Sequence, residues 1–297
     1  MKNPLPKTVF ALVTMFALTT QILAAPVFSK TQMQMSQTKP LSFDTIPARG
    51  GVIKITPLIH ASIQIEYRGK VILVDPISAG SYRKKADLIL ITHSHPDHYD
   101  PATIGRVSKN FTSILAPPSI ITSIRKDVPT KVGVGIAYWS LLANSSLGFN
   151  LTGSTNVPVS VQAIPAYNIV RGPKPNQKYH PRGVGNGYIL TLGGKRIYIA
   201  GDTEATPEMK ALKNIDAAFI PMNLPYTMTP QEAAVGVRAF KPKVVYPYHF
   251  RYPFNQPNSN PQQFVQAMRG SGVQVRVLDW YNAAPVARFV AASAAKK

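Results

Sequence analysis

Residues 88–98 read Leu-Ile-Leu-Ile-Thr-His-Ser-His-Pro-Asp-His, an apolar run followed at once by three histidines and an aspartate. A continuous apolar run of this kind predicts a strand covered on both faces, so the histidines should lie on a loop at its end. Side chains two apart in an extended segment point the same way, so His93 and His95 can converge on one ion. The turn that follows lets Asp97 and His98 face a neighbouring ion. The alternative is a solvated loop that is rich in histidine.

The ligand types in this loop restrict the metal. Imidazole nitrogens together with carboxylate oxygens suit zinc best, with manganese or iron as alternatives, and one or two ions are expected. The chain has no cysteine, so its metal ligands must be nitrogen or oxygen atoms.

Two ions need more ligands than one loop supplies, and two further residues follow predicted strands. Asp202 comes after the strand 196–200, where Gly201 lets the chain turn sharply. His249 follows the strand 244–248 in the same manner. Either residue alone could be a capping aspartate or a packed histidine, but their equivalent positions favour metal ligands.

The apolar periodicity predicts hairpins that give way to alternating strands and helices, twice along the chain. The predicted strands are 53–57, 62–67, 71–75, 88–92, 113–116, 157–164, 188–192, 196–200, 217–221, 244–248 and 273–278. The predicted helices are 101–109, 118–126, 207–213, 230–240 and 261–269. This order indicates an α/β fold, an αββα sandwich of two mixed β-sheets packed face to face with helices outside.

The ends of the chain differ from its middle. Lys2 and Lys7 precede an apolar run and Ala24 follows it, so residues 1–24 are expected to be a signal peptide and the protein to be exported, periplasmic or secreted. The alternative is a retained N-terminal anchor; no stretch has the roughly 20 apolar residues of a membrane span. Residues 25–50 are expected to be a flexible lead-in, 51–285 one catalytic domain, and 286–297 a basic tail.

The formal net charge of +20 creates a field that attracts polyanions. The expected partners are an anionic small-molecule substrate, nucleic acid or anionic lipid. The alternative is a cationic surface that only keeps the protein dispersed.

Six segments in this order resemble the metallo-β-lactamase superfamily, within it the branch of ascorbate phosphate lactonase-like proteins. They are His60-Ala61-Ser62, Val74-Asp75-Pro76, Thr92 to His98, Ala200-Gly201-Asp202-Thr203, Thr227 to Ala234, and Pro242 to His249. The resemblance covers roughly residues 60–278 and is specific for the fold, but not for a substrate.

The resemblance implies a set of roles for these residues. His93 and His95 would bind a first metal, and Asp202 would bridge it to a second. Asp97, His98 and His249 would hold that second metal. Asp75 would be a structural residue that braces the histidine loop.

One departure from the family pattern affects the first metal. Where many members place a third histidine, this chain reads Ala166-Tyr167-Asn168, and asparagine is a poor zinc ligand. Either His180 fills the position from the following loop or the first site is incomplete. His60 is either a histidine that structures the first hairpin or part of the substrate pocket.

The loop 168–187 is expected to contact substrate. It carries Arg171, Lys174, Lys178 and Arg182 close in sequence to Asn168 and His180, and guanidinium groups hold phosphate or carboxylate in paired hydrogen bonds. The alternative is a merely solvated basic loop.

The predicted activity is hydrolysis of an anionic ester, lactone or phosphodiester. A divalent ion lowers the pKa of bound water from about 15.7 to about 7, so a metal-bound hydroxide is the expected nucleophile. Asp202 and Asp97 are the expected catalytic residues, with Asp202 orienting the water and accepting a proton. The alternatives are a nuclease or phospholipid diesterase, and a catalytically silent protein that binds metal or an anion.

Overall fold

Two β-sheets of seven strands each form the frame of the chain in a computed structural model, which describes residues 42–128, 136–153, 155–254, 256 and 258–281. The first sheet consists of β1 (Asp44–Ala48), β2 (Gly51–Ile59), β3 (Ser62–Tyr67), β4 (Lys70–Val74), β5 (Leu88–Leu90), β6 (Ser113–Ala116) and β7 (Ala137–Ser140). The second consists of β8 (Ser146–Leu151), β9 (Val157–Ala166), β10 (Gly185–Leu192), β11 (Lys195–Ile199), β12 (Ala217–Pro221), β13 (Val244–Tyr248) and β14 (Gln274–Val275). The helices are α1 (Pro101–Val107), α2 (Pro118–Asp127), α3 (Pro207–Lys210), α4 (Pro230–Phe240) and α5 (Pro261–Ala267).

The two sheets share one plan. In the first, β1 to β4 pair as antiparallel neighbours and β4 to β7 as parallel ones. In the second, β8 to β11 are antiparallel and β11 to β14 parallel. Parallel neighbours end at the same edge of a sheet, so each sheet gathers several carboxyl-terminal strand ends in one place.

Alternate side chains of the central strands pack on opposite faces of the first sheet. Ile72 and Val74 of β4 belong to the same apolar cluster as Leu190 of the second sheet. Val71 and Leu73 belong to a second cluster that includes residues of α1 and α2. Since α3, α4 and α5 contribute buried residues to the cluster of the second sheet, the predicted αββα sandwich is confirmed.

The helices begin where the sequence indicated, because each of the five has proline at its first turn. Proline is tolerated there because its missing N–H would be unpaired in any residue. Helix α4 adds a capping box, in which Thr229 and Glu232 bond each other's backbone N–H groups. No helix in the described ranges combines the length and apolar character needed to span a bilayer.

The predicted start of the ordered domain at residue 51 was wrong. Strand β1 lies inside the expected flexible lead-in and pairs antiparallel with β2. Only Ile46 of this edge strand is buried, and Pro47 interrupts it, so the sequence has too little alternation to indicate a strand. Residues 25–41 of that lead-in, the signal peptide at 1–24 and the basic tail at 286–297 lie outside the described residues.

Besides β1, the strands β7 and β8 were not predicted. The signal for β8 was present, because Leu147, Phe149 and Leu151 alternate with Ser146, Gly148 and Asn150. The last predicted strand, 273–278, is limited to β14, and the helices predicted at 101–109, 207–213 and 261–269 end two or three residues early.

Gly187 in β10 lies close to backbone carbonyl oxygens that follow the neighbouring strand β11 or end it. A Cβ atom there would lie 2.6 Å from the carbonyl oxygen of Ala200 and 2.9 Å from that of Ile199. Gly187→Ala should therefore lower the free energy of unfolding by about 1–3 kcal/mol, measured by urea denaturation. Gly148→Ala in the edge strand β8 is the matched control, since its Cβ would meet no atom within 4 Å. Equal stability of the two variants would contradict this account of β10.

Candidate metal centre

All six histidines of the chain lie in one place. The loop after β5 carries His93, His95 and His98, and the turn between β2 and β3 carries His60. His249 follows β13, and His180 lies in the loop between β9 and β10. The carboxylates of Asp97 and Asp202 lie among these rings. Residues from both sheets thus meet at the strand ends, as the sequence predicted.

The backbone at this edge adopts conformations that side chains usually avoid. His60, Asp75 and His249 have φ values of 55°, 42° and 50°. Gly201 has a φ of 65°, which is the sharp turn expected before Asp202. Non-glycine residues with positive φ are uncommon, and they concentrate at functional sites where surrounding contacts hold them in place.

Asp75 holds the histidine loop against the end of β4, and its predicted bracing role is confirmed. Its carboxylate accepts hydrogen bonds from the backbone N–H of Thr92 at 2.7 Å and from the Thr92 hydroxyl at 2.6 Å. It also contacts Nδ1 of His98 at 2.8 Å. Because Nδ1 is engaged, Nε2 of His98 is the atom that faces the other ligand candidates.

Two groups of candidate ligands have ligand atoms that lie within 4.8 Å of one another, and a third group, His93, His98 and Asp202, overlaps both. The first group is His93, His95 and His180. The second group contains His60, Asp97, His98 and His249. His95 is the exposed member of the first group, so the centre opens to solvent on that side.

Asp202 lies between the two groups. Its Oδ2 is 3.3 Å from Nε2 of His180, in the first group. Its Oδ1 is 3.1 Å from Nε2 of His249 and 3.4 Å from Nε2 of His98, in the second. One carboxylate with an oxygen toward each group is the geometry that the predicted bridging role requires.

The carboxylates favour a positive charge at the centre. Burial alone would lower the pKa of His98, but Asp202, Asp97 and Asp75 together raise it to about 10. Burial lowers the pKa of His249 to about 3 and that of His93 well below its ordinary value, so both rings are neutral. Neutral imidazole is the form that binds metal.

The residues fit a divalent ion. Nε2 of His98 and Nε2 of His249 face each other at 2.9 Å, and Nε2 of His93 faces Nδ1 of His95 at 3.0 Å. Oδ1 of Asp202 is buried and makes no hydrogen bond with any residue in the described ranges. A buried carboxylate oxygen that receives no hydrogen bond, surrounded by imidazole nitrogens, offers the ligand atoms that zinc, manganese or iron prefers.

The structure places His180 near the first site, which the departure at Asn168 had left short of one ligand. His180 lies in the group with His93 and His95, whereas the side chain of Asn168 contacts His180 rather than the other candidates. Of the two alternatives, the structure therefore favours His180 at the first site. Its role as a metal ligand stays a prediction.

Unlike the exposed His95, His60 of the second group does not lie on the open side of the centre. Its side chain is fully buried, with Nε2 at 3.0 Å from Oδ2 of Asp97 and Nδ1 at 3.2 Å from the hydroxyl of Tyr281. Its ring packs 3.7 Å from the ring of His249, centroid to centroid. The geometry therefore favours a structural role for His60 over direct contact with substrate.

Three cations of the loop 168–187 have partners within the protein. Arg171 pairs with Glu204 at 3.2 Å and with Glu232 at 2.6 Å. Arg182 pairs with Glu208 at 2.7 Å, and Lys178 donates to the carbonyl oxygen of Val170 at 2.8 Å. Their role in substrate binding stays a prediction.

Sequence reasoning missed several residues of this region. Glu204 follows Asp202 by two positions, a spacing that could have drawn attention to it. Tyr281 lies just beyond the segment covered by the family resemblance. Tyr179, Tyr226 and Tyr252 form a chain of ring contacts from the His180 loop to His60, with centroids 5.1 to 6.1 Å apart.

Comparison with known proteins gives a consistent result. The sequence profile of the beta-lactamase superfamily domain matches residues 54–249. A metal-dependent hydrolase of Anoxybacillus flavithermus is 30% identical over 236 residues, which cover 76% of this chain and 97% of that protein. A metal-dependent hydrolase of Thermococcus onnurineus is 32% identical over 213 residues, covering 67% of this chain and 85% of that one.

Solved structures agree with the sequence comparisons. The crystal structure of a metal-dependent hydrolase from Parabacteroides distasonis shares 38% identity and a TM-score of 0.66, covering 80% of this chain and 100% of that one. A metallo hydrolase of Ignicoccus hospitalis shares 22% identity and the fold, with a TM-score of 0.58 over 77% and 96% of the two chains. On the profile match, the coverage of its relatives and the two-sheet fold, this chain belongs to the beta-lactamase superfamily and is a metal-dependent hydrolase.

Proposed function

We propose that this chain is an exported hydrolase that acts on an anionic ester, lactone or phosphodiester with one or two divalent ions, preferably zinc, in the centre around Asp202. The observation that carries the proposal is the position of Asp202, with one carboxylate oxygen toward each histidine group. Lys2 and Lys7 before an apolar run support export, and the net charge of +20 supports an anionic substrate.

The residues divide the work between holding the ions and handling protons. His93, His95 and His180 would hold a first ion, and Asp97, His98 and His249 a second. A divalent ion supplies Lewis acidity and lowers the pKa of a bound water from about 15.7 to about 7. Asp202 Oδ1, which has no hydrogen-bond donor in the described ranges, is the candidate acceptor of a proton from the attacking water.

His60 orients Asp97 for its proposed role in the second group. The Tyr281 hydroxyl oxygen accepts hydrogen bonds from the backbone N–H groups of Phe250 and Arg251, both at 3.2 Å. Its own hydrogen is then free to point at Nδ1 of His60, which makes Nδ1 the acceptor and Nε2 the donor toward Asp97. A ring nitrogen that donates to Asp97 has no lone pair for a metal, so we assign His60 as a support of the second group rather than a ligand.

The alternative of a catalytically silent protein depended on an incomplete first site. His180 beside His93 and His95 supports the enzyme over that alternative. The nuclease or phospholipid diesterase remains a competing proposal, supported by the net charge of +20. The narrower resemblance to ascorbate phosphate lactonase-like proteins supports lactones among the first substrates to test.

The first prediction concerns Asp202. Metal analysis of the purified protein should find one or two equivalents of a divalent ion, and a chelator should abolish turnover in a screen of phosphodiesters, phosphomonoesters and lactones. Asp202→Ala should lose metal and lower turnover by more than about 100-fold. Replacing a residue that only supports a metal ligand usually costs about 10–100-fold in metal affinity or activity, so the loss should exceed that range. Asp127→Ala, an exposed aspartate at the end of α2, is the control. Unchanged metal content and turnover in Asp202→Ala would refute the proposal.

Salt distinguishes a small substrate from a polymer. For a small anionic ester we expect turnover to fall by less than about tenfold between about 50 and 200 mM salt. Binding that depends on many phosphate contacts loses about 10³–10⁵ in affinity over that range. Hydrolysis of nucleic acid or anionic vesicles with such a steep salt dependence, faster than that of any small substrate, would favour the polymer alternative.

The assignment of His60 predicts the effect of removing one hydroxyl group. Tyr281→Phe leaves two backbone N–H groups and Nδ1 of His60 without their partner, so the free energy of unfolding should fall by about 1–3 kcal/mol. Tyr198→Phe is the matched control, because the buried Tyr198 hydroxyl has no hydrogen-bond partner in the described ranges. Urea denaturation measures both variants. Equal stability of the two would mean that the Tyr281 hydroxyl does not organise His60.

A further inference from the structure

Asn168 lies two residues after the end of β9, and its side chain is 3% exposed. Its Oδ1 accepts two hydrogen bonds from one residue, His180. The backbone N–H of His180 lies at 2.9 Å and Nδ1 of its ring at 2.6 Å. Asn168 thus holds His180 at two points, one on its backbone and one on its ring.

The orientation of the Asn168 amide follows from its other contacts. Its Nδ2 lies 2.9 Å from the carbonyl oxygen of Tyr226 and 3.3 Å from Oε1 of Glu204. A carbonyl and a carboxylate only accept hydrogen bonds, so the NH₂ group must point at them. Reversing the amide would place oxygen against oxygen on that side and two donors against each other on the His180 side.

This orientation fixes the ring of His180. Because Oδ1 of Asn168 can only accept, Nδ1 of His180 carries the proton. The lone pair then resides on Nε2, which lies 3.3 Å from Oδ2 of Asp202 in the group with His93 and His95. Histidines that bind a metal usually donate their other ring N–H to a nearby acceptor, which fixes the tautomer and the ring orientation.

Glu204 anchors the segment that carries Asn168. Glu204 is 5% exposed, and its carboxylate accepts hydrogen bonds from the backbone N–H groups of Ile169, Val170 and Arg171, with N to O distances of 2.8 to 2.9 Å. These three hydrogen bonds hold the backbone of residues 169–171 against the carboxylate. The residues after β11 thus provide both Asp202 and the anchor for the loop.

We propose that Asn168 is a positioning residue that orients His180 as the third ligand of the first metal, and that Glu204 fixes Asn168 in turn. The inference rests on the proposed metal centre, but it concerns metal binding and not the identity of the substrate. The resulting relay runs from Glu204 through Asn168 to His180.

A double-mutant cycle tests the relay through zinc affinity, measured by competition with a chelator in the absence of substrate. Asn168→Ala should weaken one zinc equivalent by about 10–100-fold and leave the other within about threefold. In the His180→Ala background the same change should have almost no further effect, because its target is gone. Asn110→Ala, an exposed asparagine away from the centre, is the control.

The outcomes separate the relay from a structural role and from the proposed function. Unchanged zinc affinity in Asn168→Ala, or an equal loss in the presence and absence of His180, would overturn the relay. Two tight zinc equivalents in a protein that hydrolyses no substrate would refute the activity but keep the relay, whereas a wild-type protein that binds no divalent ion would refute both. If Asn168→Ala fails to fold, histidine ¹⁵N spectra of the wild-type zinc protein decide: we expect a proton on Nδ1 of His180, and an unprotonated Nδ1 would contradict the relay.

Discussion

Buried carboxylates that need compensation are the constraint on which the rest of this structure depends. Asp75, Asp97 and Asp202 are each less than a tenth exposed, and an ionised carboxylate in such surroundings is very costly unless it is paired. The chain meets this requirement with imidazole rings placed around the carboxylates. The raised pKa of His98 shows how strongly the three acids together favour positive charge. A divalent ion satisfies the same requirement, so the electrostatics that would otherwise destabilise the fold favour metal binding.

The two-sheet architecture makes this convergence possible. In each sheet a parallel half brings strand ends to one edge, and the residues just after β4, β5, β11 and β13 therefore meet. Hairpins alone could not do this, because antiparallel neighbours end at opposite edges. The inner faces of both sheets are tightly packed with aliphatic and aromatic side chains, which fixes the distance between the two sets of strand ends. Rigid strands thus hold most of the ligands in position before any ion binds.

Sequence reasoning predicted what local pattern and residue chemistry determine. The run 88–98 gave a buried strand and a histidine loop, and the prolines gave the first turn of each helix. Strand β1 was missed because a single buried isoleucine cannot show alternation. The roles of Glu204 and Tyr281 could not be predicted either, since each depends on which backbone N–H groups lie nearby in the folded chain. The choice between Asn168 and His180 likewise required three-dimensional contacts, because 12 residues separate them along the chain.

The position of His180 in the chain explains why so many contacts surround this candidate ligand. His249 follows a strand directly, and the histidine loop after β5 is braced by Asp75, so their backbones are held near the sheets. His180 comes from the middle of a long loop, and ordering such a loop costs conformational entropy that a metal contact alone would have to offset. Contacts made within the protein reduce that cost before the metal arrives, and they include the three N–H bonds to Glu204 and the amide of Asn168. A candidate ligand in a loop therefore needs support that one at a strand end does not, and Glu204, a few residues after β11, provides it.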